Sequence, residues 1–341
     1  FLITFSELMT ISYPEKSSET PLDSNENLLL PERYYKEIKD KVDFGLRKYP
    51  SPTAKGLVKA LSELYDLNPD QILVGNGSDA ILDTAIKTFV PKEGTFGYFQ
   101  PSYEMYSFFA FRNDRKSLEI PLNQDFTYPS IHDFVDESDM LMICSPNNPS
   151  GLTIDVDKLT SILEREVQIV VDEAYVEYSE QDILHLLNRY KNLTLIRTFS
   201  KAYGLAGIRV GYALTSKENR VKLQEKMLPY NVNAFSIKAA VYALQNRGMV
   251  KEAVEKTIEE RNFITSKLKE LGFDPIPSET NFVLSKTPSN ITPEELFDGL
   301  IEKGIRIRIF NHPRLKRYVR ITVADRDTNR DLLDAVSNLL K

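Results

Sequence analysis

The sequence predicts an α/β protein, a mostly parallel β-sheet covered by helices on both faces and followed by a smaller α+β domain. Three observations carry this. Four short runs, Met140–Cys144, Gln168–Val171, Leu193–Ile196 and Ile208–Leu214, are apolar on both faces and separated by helical patterns, the mark of buried parallel strands. Near residue 245 the pattern changes to one long helical stretch and then short alternating runs. The 341 residues, 42% of them hydrophobic, suffice for two cores.

Along the chain, Leu57, Leu61, Leu64 and Tyr65 share a helical face that Asn68-Pro69-Asp70 ends. Gln71–Val74 reads as a strand, and Ile81, Leu82, Ala85, Ile86 and Phe89 mark the helix after it. The four buried runs follow. Beyond them, Glu252–Leu271 is helical, and Asn281–Leu284, Ile305–Ile309 and Val319–Val323 alternate with helices at Pro293–Glu302 and Thr328–Leu340. The extended segment up to about Leu30 is expected to pack on this last part, giving domains at 30–245 and at 1–29 plus 246–341.

Charge and composition narrow the function. Charged residues are 27% and well mixed, and the formal net charge is −6, which disfavours a nucleic-acid or anionic-membrane surface. No stretch approaches the roughly 20 apolar residues that span a bilayer, and Phe1–Met9, with Ser6 and Glu7 and no basic leader, is a poor secretion signal. One cysteine, Cys144, excludes an internal disulfide and reads as a small buried hydrophobe. A cytoplasmic protein is expected, and no metal site is apparent.

Four segments, each just past a predicted strand, could carry chemistry. In Thr198-Phe199-Ser200-Lys201-Ala202-Tyr203-Gly204-Leu205-Ala206-Gly207-Ile208-Arg209, a lysine follows a buried strand, where a lowered pKa makes an amine nucleophilic toward aldehydes. Arg209 offers a planar fork for a phosphate, with hydroxyl donors at Ser200 and Thr198. In Val170-Val171-Asp172-Glu173-Ala174-Tyr175, an acid ends a buried strand, which is costly unless a cation meets it. Facing a protonated pyridine nitrogen, it would keep a ring electron-poor; alone, it could equally bind Mg²⁺ or cap a helix. Ser145-Pro146-Asn147-Asn148-Pro149-Ser150-Gly151 is a turn by composition. Gly75-Asn76-Gly77-Ser78-Asp79 links a strand to a helix, presenting free N–H groups to an anion. It lacks dinucleotide glycine spacing, since Ala80 holds the last position, and lacks the lysine of a P-loop.

Together these segments resemble the fold-type I pyridoxal-5′-phosphate-dependent aminotransferases, most closely the histidinol-phosphate aminotransferase branch. The resemblance covers most of the chain, from Leu22-Asp23-Ser24-Asn25-Glu26-Asn27 through Arg47-Lys48-Tyr49-Pro50 and Pro101-Ser102-Tyr103 to Ser278-Glu279-Thr280-Asn281-Phe282 and Val319-Arg320-Ile321-Thr322. Two departures stand out: Asn25–Leu30 lacks the usual proline and glycine, and Ala80 replaces a frequent glutamate. The resemblance implies a seven-stranded sheet of the aspartate aminotransferase type and transamination with 2-oxoglutarate.

It also implies roles. Lys201 forms the Schiff base and shuttles the proton, Asp172 faces the pyridine nitrogen, and Asn148 and Tyr175 bond the ring's phenolic oxygen. Tyr103 stacks on the ring, although Tyr103, Tyr106 and Phe108–Phe109 could simply be helix core. Gly77, Ser78 and Asp79 seat the cofactor phosphate with Thr198, Ser200 and Arg209. Tyr49 reaches that phosphate from a neighbouring subunit, so a homodimer is expected. Arg320 binds a substrate carboxylate, and Arg308 joins it to accept a donor's phosphate; Tyr13 and Asn25 lie at the same mouth. Rivals on this scaffold are an aspartate or aromatic aminotransferase and a threonine-phosphate decarboxylase. From another class comes a non-catalytic cofactor-binding regulator, against which stand the acidic charge and Lys201.

Overall fold

The computed structural model describes residues 20–43 and 45–341, so Tyr13 lies outside the described residues. Its strands are β1 (Thr20–Pro21), β2 (Ile72–Gly75), β3 (Thr95–Gln100), β4 (Lys116–Pro121), β5 (Met140–Cys144) and β6 (Gln168–Asp172). They continue as β7 (Leu193–Thr198), β8 (Gly211–Thr215), β9 (Asp274–Pro275), β10 (Phe282–Lys286), β11 (Ile305–Arg306) and β12 (Tyr318–Thr322).

The large sheet has seven strands in the order β2-β8-β7-β6-β5-β3-β4. Only β8 runs against its neighbours, antiparallel to both β2 and β7. The other strands therefore share a direction, and β2, β5, β6 and β7 all end on the same edge. Residues of β5 alternate between two cores: Met140, Met142 and Cys144 pack on one face with Leu82 and Ile86, while Leu141 and Ile143 pack on the other with Leu57 and Leu61. This is the period of two expected of a strand buried on both sides.

Smaller sheets lie beyond. β10 pairs antiparallel with β9 and β12, and β1 runs parallel to β11. A third cluster joins Leu22 to Ile264, Leu268, Val283, Leu296 and Leu332. The helix Arg247–Glu270 links the layers, with Val250 and Ala253 in a large-sheet core and Ile264 and Leu268 in the third cluster.

Several boundaries differ from expectation, among them the run from Ile305, which is strand only to Arg306, and three of them have a clear local reason. Gln71 belongs to a 3-10 turn, Pro69–Gln71, because it completes a capping box with Asn68 instead of joining β2. The run from Ile208 is not yet strand: Ala206–Ile208 forms another 3-10 turn, and Arg209 at φ 51° delays β8 to Gly211. The long helix begins at Arg247, before its apolar period becomes clear. β4 was invisible to periodicity because it is a largely exposed edge strand, Lys-Ser-Leu-Glu-Ile-Pro, whose proline an edge tolerates.

On the face opposite Asp172, the ends of β6 and β7 are tied by a buried ion pair. Arg197 Nε donates to Glu173 Oε2 at 2.7 Å, and its guanidinium lies 5.0 Å over the Tyr65 ring. Burial raises the Glu173 carboxyl and Arg197 opposes that rise. Removing one partner strands a buried charge, so Arg197→Ala should destabilise the protein by roughly 3–5 kcal/mol. Replacing both, as Glu173→Leu with Arg197→Met, should recover most of the loss; urea unfolding midpoints of the two variants check this.

Candidate active site

At the shared strand edge, the β2-to-helix turn forms an anion cradle. Helix Gly77–Phe89 starts without a side-chain cap from Asn76, so its first N–H groups are free to meet an anion. Glycine is required twice here. Gly77 has φ +78°, and a Cβ on it would lie 2.7 Å from Arg209 Nη2; a Cβ on Gly211 would lie 2.4 Å from the Ser78 nitrogen. Arg209 Nη2 donates to Asp79 Oδ2 at 3.1 Å, and Tyr103 Oη donates to Asp79 Oδ1 at 3.1 Å. Thr198 Oγ1 donates to Ser200 Oγ at 3.0 Å on the opposite lip.

Asp172 ends β6 only 4% exposed. Tyr106 Oη donates to its Oδ2 at 2.8 Å and the Ala174 amide to its Oδ1 at 3.2 Å. Among the described residues, no basic side chain forms an ion pair with it, and burial pushes its carboxyl up to about 6 despite the Tyr106 bond. A buried acid kept near ionisation without a protein cation suits a cationic ligand nitrogen.

Lys201 follows β7, half-buried, with Nζ donating to the Ser24 carbonyl at 3.0 Å and lying 5.6 Å over the Tyr175 ring. Burial first, then the charge of Arg320, lowers its pKa to about 8. Tyr175 is buried edge-on to Phe282, with centroids 5.2 Å apart, and its hydroxyl accepts from Asn25 Nδ2 at 3.0 Å. Asn25 sits at φ 55° and is held by Thr322 and by Asn281, whose Nδ2 donates to its carbonyl at 3.0 Å.

Two arginines close the far side. Arg320 on β12 is 7% exposed. It donates from Nη1 to Asn148 Oδ1 at 2.6 Å and from Nη2 to the Asp23 carbonyl, while its buried Nε has no partner among the described residues. Arg308 is bridged to Arg320 backbone to backbone, and its Nη2 donates to Glu104 Oε2 at 3.1 Å.

Asp79, Asp172, Tyr175, Lys201, Arg308 and Arg320 line one cavity of about 430 Å³, and Tyr106 supports Asp172 from outside it. Gly77 shapes the cradle from behind. Tyr49 is not among the cavity's lining residues: it is 85% exposed, and its ring packs on Tyr230 at 5.2 Å. Sequence reasoning missed the roles of Tyr106, the Ser24 and Asp23 carbonyls, and Glu104. Tyr106 was within reach, since it lies three residues beyond Tyr103, across the turn that opens helix Met105–Arg112, and the two rings meet edge to face at 5.6 Å; the carbonyls leave no sequence signal. Cys144 lines the cavity too, with burial raising its thiol to about 12, as befits an inert hydrophobe. Among the described residues, no group of side chains could hold a metal ion, and no helix is long and apolar enough to cross a membrane.

Residues 17–336 match the family model described as aminotransferase class I and II. The chain belongs to that family.

This aminotransferase is 35% identical over 343 residues to a histidinol-phosphate aminotransferase of Caldanaerobacter subterraneus, covering 98% of this chain and 95% of that protein. A Thermococcus kodakarensis enzyme of the same name is 35% identical over 315 residues, covering 92% and 88%. The crystal structure of the Clostridium acetobutylicum histidinol-phosphate aminotransferase superposes with a TM-score of 0.86 at 28% identity, covering 94% of this chain and 98% of that one. The aminotransferase works with pyridoxal 5′-phosphate, and its residues fit that group. The uncapped helix, Arg209 and paired hydroxyls match a phosphate, the unpaired Asp172 matches a pyridinium, and Lys201 matches an aldehyde.

With its pKa near 8, the Lys201 amine gains its neutral, nucleophilic form as pH rises through that value, well before an ordinary lysine does. Capture of the cofactor by apo protein should therefore accelerate from pH 7 to 9 and level off, as followed by stopped-flow absorbance. Lys201→Ala should leave no cofactor that borohydride can fix to the chain.

Proposed function

We propose that this aminotransferase moves the amino group of a phosphorylated donor, histidinol phosphate, to 2-oxoglutarate. The observation that carries the reading is the pairing of Arg308 and Arg320 on one β-bridge inside the cavity that holds Lys201 and Asp172. Histidinol phosphate ends in a phosphate and has no carboxylate, whereas glutamate has two carboxylates, so one pocket must take either anion. Two guanidinium forks of different freedom, one buried and one half-exposed, suit that task. The relatives named above support the donor.

Bound, the cofactor supplies the aldehyde and an electron sink for the bond broken at the donor carbon. The chain supplies the rest. Arg209, the free amides of helix Gly77–Phe89 and the Ser200 hydroxyl would hold the phosphate, with Tyr103 beside the ring. Asp172, oriented by Tyr106, would keep a proton on the nitrogen that faces it. Lys201, neutral at moderately alkaline pH, takes the proton from the donor carbon and returns it, steered by the Ser24 carbonyl. Tyr175, its hydroxyl bonded by Asn25, and Asn148, tied to Arg320, would hold the ring oxygen and link cofactor position to substrate binding.

A homodimer belongs to this reading. Leu46, Tyr49 and Leu228 are 89%, 85% and 77% exposed, too much bare apolar surface for a lone subunit, and Tyr49 would reach a second copy's phosphate cradle. Its buried, lone Cys144 suits a reducing cytoplasm. The division into 30–245 and 1–29 plus 246–341 is supported by the separate cluster around Leu22 and Leu332.

Purified enzyme should turn over histidinol phosphate with 2-oxoglutarate faster than phenylalanine or aspartate. Release of carbon dioxide from threonine phosphate without any oxo acid would instead assign the decarboxylase reaction. Arg320→Ala should lower kcat/KM for 2-oxoglutarate by about 10², the value of one charged bidentate contact; an unchanged value would remove Arg320 from the pocket. Tyr49→Ala should weaken cofactor retention on dialysis, with the dimer intact by sedimentation.

A further inference from the structure

Arg308 and Arg320 reach the same cavity but are satisfied by different chemistry. Among the described residues, Arg320 bonds neutral acceptors, the Asn148 amide and the Asp23 carbonyl, so no carboxylate pairs with it directly. Arg308 meets a carboxylate: its Nη2 lies 3.1 and 3.3 Å from the two Glu104 oxygens. The pair joins elements 204 residues apart, Glu104 at the start of helix Met105–Arg112 and Arg308 just beyond β11. Both side chains line the cavity, and both remain about a third to a half exposed. Such a pair is weak and screened, so an incoming anion can displace the carboxylate into water at little cost.

We propose that Glu104 is a specificity latch: it occupies Arg308 as an internal anion and yields it only to ligands that carry a second negative group. The proposal rests on the reading of Arg308 and Arg320 as the pocket for substrate anions. A ligand with one carboxylate fills Arg320 and leaves the Glu104–Arg308 pair closed. A ligand with two anionic ends, a dicarboxylate or a phosphorylated donor, replaces Glu104 with its own distal group. The latch thus keeps two neighbouring arginines from facing each other uncompensated, and it raises the threshold that a distal anion must pass. Its effect falls on ground-state binding, so it moves KM more than kcat.

The test is calorimetric binding of glutarate and butyrate to the cofactor-loaded enzyme, in wild type, Glu104→Gln, Arg308→Ala and the double variant. With Arg308 present, Glu104→Gln should tighten glutarate relative to butyrate by about two- to fivefold, the size of an exposed ion pair. KM for 2-oxoglutarate should fall by a similar factor, with kcat changing less than KM. With Arg308→Ala, the same glutamate substitution should give no gain, because the latch acts only through that arginine. Glutarate binding that is unchanged or weaker in Glu104→Gln overturns the proposal, and so does a gain that persists without Arg308. If Arg308→Ala binds glutarate as wild type does, the anion pocket itself is misassigned, and the latch fails with it.

Discussion

The site depends on one constraint: a carboxylate buried at the end of β6 with no basic side chain paired to it. Asp172 has a tyrosine hydroxyl and a backbone amide for partners, and burial lifts its pKa to about 6. A buried carboxylate left in that state is costly, and the ordinary remedy, a neighbouring lysine or arginine, is absent among the described residues. The cost is recovered only when a cation arrives from outside. That makes the protein a poor host for a neutral ring and a good one for a protonated pyridine, whose positive charge would in turn draw the Asp172 pKa back down. The cofactor and the carboxylate hold each other in their charged forms.

The strand period then explains how this acid is kept apart from its neighbour. Asp172 and Glu173 are adjacent, as are Thr198 and Arg197, and successive residues of a strand point to opposite faces. Asp172 and Thr198 therefore turn toward the cavity, on the face that packs Val170 and Ile196, while Glu173 and Arg197 turn to the face of Val171 and Leu195 and neutralise each other. One register supplies a reactive side and a fastened side. A slip of a single residue would exchange them, placing the ion pair in the cavity and Asp172 in the hydrocarbon core.

How much of this could be read from the sequence follows from where each signal resides. The strands β5, β6 and β7 were legible because both faces are apolar, and the lysine string because a nucleophilic amine, a phosphate fork and two glycine turns share one short segment. Edge strand β4 was not, since solvent exposure erases its pattern. Placement in the site followed the same rule: expected residues local to a motif line the cavity, whereas contacts made by carbonyls or across distant segments left no signal. Ser24 acts through its main chain, which any residue would provide. Asn148 meets Arg320 across 172 residues, so neither segment announces the other.

That last contact bears on how the arginine pocket communicates with the amine. Arg320 lowers the Lys201 pKa through its charge, second only to burial. The guanidinium can exert this effect because its bonding partners are neutral; a carboxylate in place of Asn148 would cancel the field at its source. A substrate carboxylate on Arg320 would cancel the field in the same way and return basicity to the amine. The empty pocket thus favours the neutral amine, the form that attacks an aldehyde and the form that can accept a proton; a filled pocket would make that amine a stronger base while shifting it toward the ammonium at a given pH. The coupling requires no movement of the backbone, only the arrival of charge within the reach of a buried fork.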